Sequence, residues 1–361
     1  MKIIAASISA LTIYCLLVTY IGWNAFLWLS SFVEGLDPVL FFAAWFLWAF
    51  SFLIGRLGHK WLAFTVAGSY WFAFFEYALL LFPIANLAVL FIGGEEAMQM
   101  IGAVVACIML ALFAVGTFLA YSPVVRELDI VIDRPMNEPL HLVVASDFHL
   151  GILSGKRHLQ RFVDKANELE PEAILLAGDL VDDDPVWYGR YGMSEVMEKL
   201  QAPLGVYGIV GNHEYYGKKI PLLVYMMKGS GVDVLLDETK SIGERFYLTG
   251  REDRTNRKRQ SLEMLKPLTD LPWIVLDHTP SNLKVPVELE ADLHISGHTH
   301  KGQMWPNRFI TKKVFELDYG HRKTGKTHLL VSSGFGFWGP PIRIGSRAEL
   351  WSIRVTGKTP D

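Results

Sequence analysis

The 361-residue sequence predicts an α/β fold, with a central β-sheet layered between helices, preceded by an all-α transmembrane region of about four helices. Two observations predict it. Charge is partitioned along the chain: residues 1–121 hold three basic and five acidic groups, whereas residues 122–361 hold 31 and 32. The overall charged fraction of 20%, against a usual ~25%, therefore averages an almost uncharged third and an ordinary water-soluble remainder. From Leu140 onward, short apolar runs alternate with amphipathic stretches, the pattern of strand–helix–strand layering. Three divisions follow: a helical membrane region over 1–121, a linker over 122–139, and one domain over 140–361, near the size limit of a single core.

In the apolar third no charge occurs from Ile3 to Val33, from Pro38 to Gly55, or from Ala97 to Val125. A further segment runs from Trp61 to about Ile92, interrupted by Glu76, Pro83 and Asn86, and reads as a kinked or partly re-entrant helix. A bilayer crossing needs about 20 residues, so the second segment is short. The length of the first run and the three that follow it exclude a cleaved signal peptide. Arg56, His59 and Lys60 follow the second segment, while the loops at Glu34/Asp37 and Glu95/Glu96 lack Lys and Arg. Positive residues mark the cytoplasmic side, which predicts a multi-pass protein of the cell membrane with both termini and the large domain in the cytoplasm. Glu76 is either a polar contact inside the bundle or a side chain near an interface. The aromatic residues here read as lipid-facing or interfacial. Cys15 and Cys107 lie in apolar runs and exclude a disulfide framework.

Predicted strands in the large domain are Leu140–Ala145, Ala173–Ala177, Val206–Val210, Trp273–Leu276, Leu293–Ser296 and His328–Ser332. Leu159, Phe162, Val163 and Ala166 share one face of a helix between the first two. The arginine-rich stretch Arg251–Arg259 reads as a solvated loop. A balanced charge argues against nucleic-acid binding, which needs a basic face.

The residue types that end these runs carry the chemistry. They are Asp147-Phe148-His149, Gly178-Asp179 with Asp182, Gly211-Asn212-His213-Glu214, Asp277-His278 and Gly297-His298-Thr299-His300. The carboxyl ends of strands surround the ligand crevice in open α/β sheets, so five ends deliver Asp, His and Asn to one edge. In an extended segment Asp147/His149 and His298/His300 project to the same side, where each pair can reach one ion. Imidazole, carboxylate and amide oxygen together suit Zn, Mn, Fe or Ni. The set is too large for one tetrahedral ion and about right for two sharing a carboxylate.

The ordered series Asp-x-His, Gly-Asp-x-x-Asp, Gly-Asn-His-Glu, a later His and Gly-His-x-His, spread from 147 to 300, resembles the calcineurin-like metallophosphoesterase superfamily. Its local wording around Asp147 and His298 is most similar to the membrane-anchored bacterial branch, some of whose members cleave a lipid-linked pyrophosphate such as UDP-diacylglucosamine. The resemblance implies a metallophosphoesterase-like sandwich and two divalent metal ions. Asp147, His149, Asp179 and His300 would hold one ion, with Asp179 bridging to a second held by Asn212, His278 and His298. His213 would protonate the leaving oxygen, oriented by Asp182. Protein phosphatases of the superfamily follow the second Asp with Arg-Gly, whereas Asp182 precedes Asp183-Asp184-Pro185, which argues against a phosphoprotein substrate. His59, His141, His158, His294, His321 and His328 lack motif context.

The expected reaction is attack of a metal-activated hydroxide on a phosphoester or pyrophosphate, in a phosphorylated small molecule or a lipid- or nucleotide-linked substrate. The rival reading is a catalytically silent membrane sensor or scaffold that binds metal or nucleotide. Arg251, Arg254 and Arg343 are either further phosphate contacts or surface charges. The Gly/Pro-rich run Gly334–Arg343 places Phe335, Phe337, Trp338 and Ile342 either in the core or at the lipid headgroups, guiding a lipid substrate.

Overall fold

The computed structural model describes residues 2–358, in two compact units, Met1–Val115 and Gly116–Asp361. Met1 and the last three residues of the expected 140–361 division lie outside the described residues.

The first unit is helical. Among the described residues three helices are long and apolar enough to cross a membrane: Ala5–Ser30 within the helix Lys2–Ser30, then Leu62–Ile92, and Glu95–Tyr121, which continues into the second unit. The second apolar segment forms Pro38–Ala49 instead, whose 12 residues rise only about 18 Å against a ~30 Å hydrocarbon core. Asp37 caps that helix, its carboxylate accepting from the N–H groups of Val39 and Leu40. The interrupted third segment is one continuous helix with Pro83 inside it, not a re-entrant turn. Its Gly68 lies where a Cβ would press on the backbone of Phe52 in the short helix Ser51–Gly55, so a glycine lets those two helices approach. The aromatic residues are less lipid-facing than expected. Trp71 is fully buried and stacks edge-on with Trp45 and Trp48 at centroid separations of 5.4 and 4.9 Å.

The second unit is a sandwich of two six-stranded sheets. Strands are β1 Val124–Pro135, β2 Leu140–Ala145, β3 Ala173–Ala177, β4 Val206–Ile209, β5 Val232–Val234, β6 Glu238–Ile242, β7 Phe246–Gly250, β8 Trp273–Leu276, β9 Leu293–Ser296, β10 Gly320–Thr324, β11 Thr327–Val331 and β12 Glu349–Lys358. One sheet runs β1-β12-β2-β3-β4-β5 and the other β10-β11-β9-β8-β7-β6. The expected linker 122–139 is not a linker. Most of it is β1, which pairs in parallel with β12.

Alternation sorts the strand residues between two cores. Leu142, Val144, Leu175 and Ile209 face the other sheet and meet Leu248, Ile274, Leu276, Ile295 and Leu330. Val143, Ile174 and Leu176 face outward and are covered by Leu159, Phe162, Val163 and Ala166 of the helix Lys156–Glu168. Within the sheets β2, β3 and β4 are mutually parallel, as are β8 and β9. Five parallel strands from two sheets thus end along one edge.

Candidate active site

Each strand end delivers its predicted side chain, but by an unexpected backbone route. Asp147, His149, Asp179, His298 and His300 all have positive φ, at 54°, 45°, 50°, 70° and 49°. These are left-handed conformations that L side chains adopt reluctantly, and such strain collects where side chains must converge. The pairs Asp147/His149 and His298/His300 therefore share a side through tight turns, not through extended alternation. Gly178 also has positive φ, and a Cβ there would strike the His278 ring.

Six of the seven residues predicted to hold metal fall into two groups, Asp147 with His149 and His300, and Asp179 with His278 and His298, and a third group of His149, Asp179 and His213 links them. Nε2 of His300 lies 3.1 Å from Nε2 of His149 and 3.5 Å from Asp147 Oδ1. Asp179 Oδ2 lies 3.7 Å from His149 Nε2 and 3.1 Å from His278 Nε2, so it stands between the groups. Asn212, the seventh, places Oδ1 2.8 Å from His298 Nδ1. The main chain orients the acids: the His298 N–H donates to Asp147 and the His213 N–H to Asp179.

The donor set fits divalent cations. Asp147 and Asp179 are buried carboxylates, and burying one such charge costs several kcal/mol unless it is paired. Burial holds the rings of His149 and His300 well below their usual pKa, leaving the neutral imidazoles a metal requires. His278 Nδ1–H donates to the Ala177 carbonyl, which leaves the Nε2 lone pair for coordination. That Nε2 is sealed from solvent and faces Asp179 Oδ2 at 3.1 Å without a well-aligned hydrogen bond. Burial disfavours a charged His278 ring, yet the Asp179 and Asp147 carboxylates outweigh it and hold its pKa well above the usual value. A site that draws in a proton so strongly suits a cation in its place.

His213 stands beside both groups, its ring centroid 4.6 Å from that of His149. Its Nδ1 is 2.7 Å from Asp183 Oδ1 and 3.6 Å from Asp182 Oδ1. The hydrogen bond expected from Asp182 is therefore made by Asp183, whose positive φ of 57° turns the side chain inward. Burial alone would lower the His213 pKa. The Asp183 hydrogen bond and the charges of Asp179 and Asp182 override it and raise the ring to about 9.

Residues 140–302 match the calcineurin-like phosphoesterase family. The chain carries a calcineurin-like phosphoesterase domain. An uncharacterised metallophosphoesterase of Helicobacter pylori is 30% identical over 65% of this chain and 65% of its own length. A transmembrane protein with metallophosphoesterase domain from Danio rerio is 30% identical over 69% of this chain and 62% of its own. The chain thus spans slightly under two thirds of these relatives.

Several residues around the site take roles that the sequence pattern did not assign them. Glu214 is buried and clamps the loop ends, accepting from the N–H groups of Val181 and Gly211. Burial raises its carboxyl to about 7. Arg343 is fully buried and so is not a surface charge. It donates to the carbonyls of Ser333 and Gly336, and its Nη2 lies 3.3 Å from His300 Nδ1. The loop Arg251–Arg259 exposes Arg257 and Lys258 as expected, but Arg251 and Arg259 at its ends each hold one oxygen of Asp277. Arg254 is exposed. In the Gly334–Arg343 run, Phe335, Phe337 and Ile342 are core while Trp338 is exposed.

Proposed function

We propose that the chain is a dinuclear-metal phosphoesterase that cleaves a phosphoester or pyrophosphate bond in a lipid- or nucleotide-linked substrate. The observation that carries this reading is His213, held by Asp183 through Nδ1 beside two contiguous groups of carboxylate and imidazole. Asp147, His149, Asp179 and His300 would hold one ion, and Asp179, Asn212, His278 and His298 the second. When bound, the two ions neutralise phosphoryl oxygens and acidify a water nucleophile.

The chain's own residues do the rest. With Nδ1 committed to Asp183, His213 presents Nε2–H to the leaving oxygen and gives up that proton as the bond breaks. The main-chain donors on Asp147 and Asp179 keep both carboxylates fixed during charge development. A silent sensor or scaffold is disfavoured by an intact His213–Asp183 pair, which metal binding alone does not need.

The same reading places the domain in the cytoplasm of a multi-pass protein. Arg56 and Lys60 mark the inner side, and Leu62–Ile92 and Glu95–Tyr121 lead out and back. Because that path uses only two long helices, it holds whether or not Pro38–Ala49 crosses. The testing experiment loads the purified full chain with Mn or Zn, counts ions by elemental analysis, and assays bis(p-nitrophenyl) phosphate and a diacyl pyrophosphate. Two ions with turnover support the reading; two ions without turnover favour the scaffold.

A further inference from the structure

The short helix Arg308–Val314 buries none of its residues. Phe309 is 68% exposed, Ile310 62% and Val314 66%, and Trp305 just before it is 53% exposed. Thr311 and Arg308 turn the other way and anchor the helix to Asp318. At 100° per residue, Phe309, Lys313, Ile310 and Val314 fall within one outward arc, and Lys312 flanks it. A water-soluble surface has no use for that combination; aromatic and aliphatic groups with lysines beside them match a bilayer interface of anionic headgroups.

Three further observations place this arc at the mouth of the site. Gly302, two residues from His300, packs so closely on the start of the helix that a Cβ would strike Arg308. Phe315, at the other end, has its ring 5.8 Å from that of His298. Gln303 holds the exposed Trp338 at both its N–H and its carbonyl, and that indole lies 6.4 Å from the His213 ring. The strip is also tied to the point where the apolar helix Glu95–Tyr121 enters this unit. Trp305 N–H donates to the Ile344 carbonyl, and the neighbouring Arg343 N–H donates to the Gly116 carbonyl. Residues Gly116–Tyr121, the end of a helix of membrane length, are thus linked to Trp305 through the main-chain bonds of Arg343 and Ile344.

We propose that Trp305, Phe309, Ile310 and Val314, with Lys312 and Lys313, form an interfacial docking surface that seats the rim of the metal groups on an anionic lipid bilayer. Substrate would then be taken from the plane of the membrane instead of from bulk water. The bilayer is the occupant because the basic residues border the apolar arc and because a membrane-length helix terminates beside it.

The experiment uses the full chain with Cys15 and Cys107 changed to Ser, carrying a single bimane label at Phe309→Cys or Ile310→Cys. A control label sits at Leu268→Cys, a fully exposed position. Each is reconstituted in vesicles of phosphatidylcholine with or without phosphatidylglycerol, and thermal melting confirms that it folds. Brominated lipid should quench the 309 and 310 labels about twofold and spare 268, and the effect should weaken with neutral vesicles or with Lys312→Glu/Lys313→Glu. Equal bromolipid quenching at 309, 310 and 268 overturns the proposal. So does protection of 309 and 310 from soluble iodide without bromolipid quenching, because a protein then covers them. Quenching needs no turnover, so its failure and that of the hydrolytic reading are separable.

Discussion

The two units solve the problem of buried polarity in opposite ways. In Met1–Val115 the three tryptophans packed between helices, Trp45, Trp48 and Trp71, each find a neutral acceptor, although the buried Tyr77 hydroxyl has none. Trp45 Nε1–H donates to the Val18 carbonyl, Trp48 Nε1–H to Ala67, and Trp71 Nε1–H to Tyr14 Oη, whose own proton goes to Ala49. These bonds link successive helices while leaving no charge behind. In Gly116–Asp361 the buried groups are carboxylates and imidazoles, packed where they satisfy one another only in part. His278 Nε2 is the clearest case. The first arrangement works through neutral donors and acceptors. The second gathers carboxylates and imidazoles into groups that could hold cations.

Breaking the second arrangement should have the largest effect. Asp179→Asn removes the carboxylate shared by both groups, and elemental analysis should show loss of both ions with activity at background. Asn212→Ala, at the periphery, should lose less metal. Equal metal content in wild type and Asp179→Asn would refute the bridging role.

His213→Ala should instead keep both ions while turnover falls roughly 10²–10⁴-fold. The loss should shrink for a leaving group of low pKa, which needs no proton. Asp183→Asn should act through the same ring with a milder loss, and should exceed Asp182→Asn, which sits too far away for a hydrogen bond.

The first arrangement breaks through packing. Trp71→Ala empties a fully buried aromatic site and should cost about 3–5 kcal/mol of stability, read as a lower denaturation midpoint in detergent. Metal content should not change. A parallel fall in both would mean that the units are not independent.

The smallest effect is a pH dependence. Burial lowers the His158 and His294 rings to about 4. Above about 6.5 the folded and unfolded chains both carry these rings neutral, so nothing is gained or lost. Between about 6.5 and 4 the unfolded chain takes up protons that the folded one refuses, so stability falls as pH falls, by about 3 kcal/mol per ring at the acid end. His158→Gln should flatten the profile of denaturation midpoint against pH; an unchanged slope would show that His158 is not the titrating group.

The sequence by itself determined which residues meet. All six predicted strands occur within about a residue of their expected ends, because each is a short apolar run bounded by polar or glycine residues and buried on both faces. Asp, His and Asn placed just beyond such runs arrive at a common edge whenever the strands are parallel. The membrane-length helices were legible for a similar reason, since length and the absence of charge suffice. Strands with mixed composition were not legible. In β1, buried Ile130 and Ile132 alternate with exposed Asp129 and Val131, and a pattern read as a linker gains its partner only from β12, more than 200 residues away. Tertiary structure alone decided that the sheet is two sheets, that left-handed turns and not extended segments aim the ligands, and that Asp183 outcompetes Asp182 for His213. It also decided that Arg343 is core while Phe309 and Ile310 are surface. The physical reason is common to all of these. Burial and hydrogen-bond geometry depend on what lies across the fold, and residue type and local spacing carry no record of it.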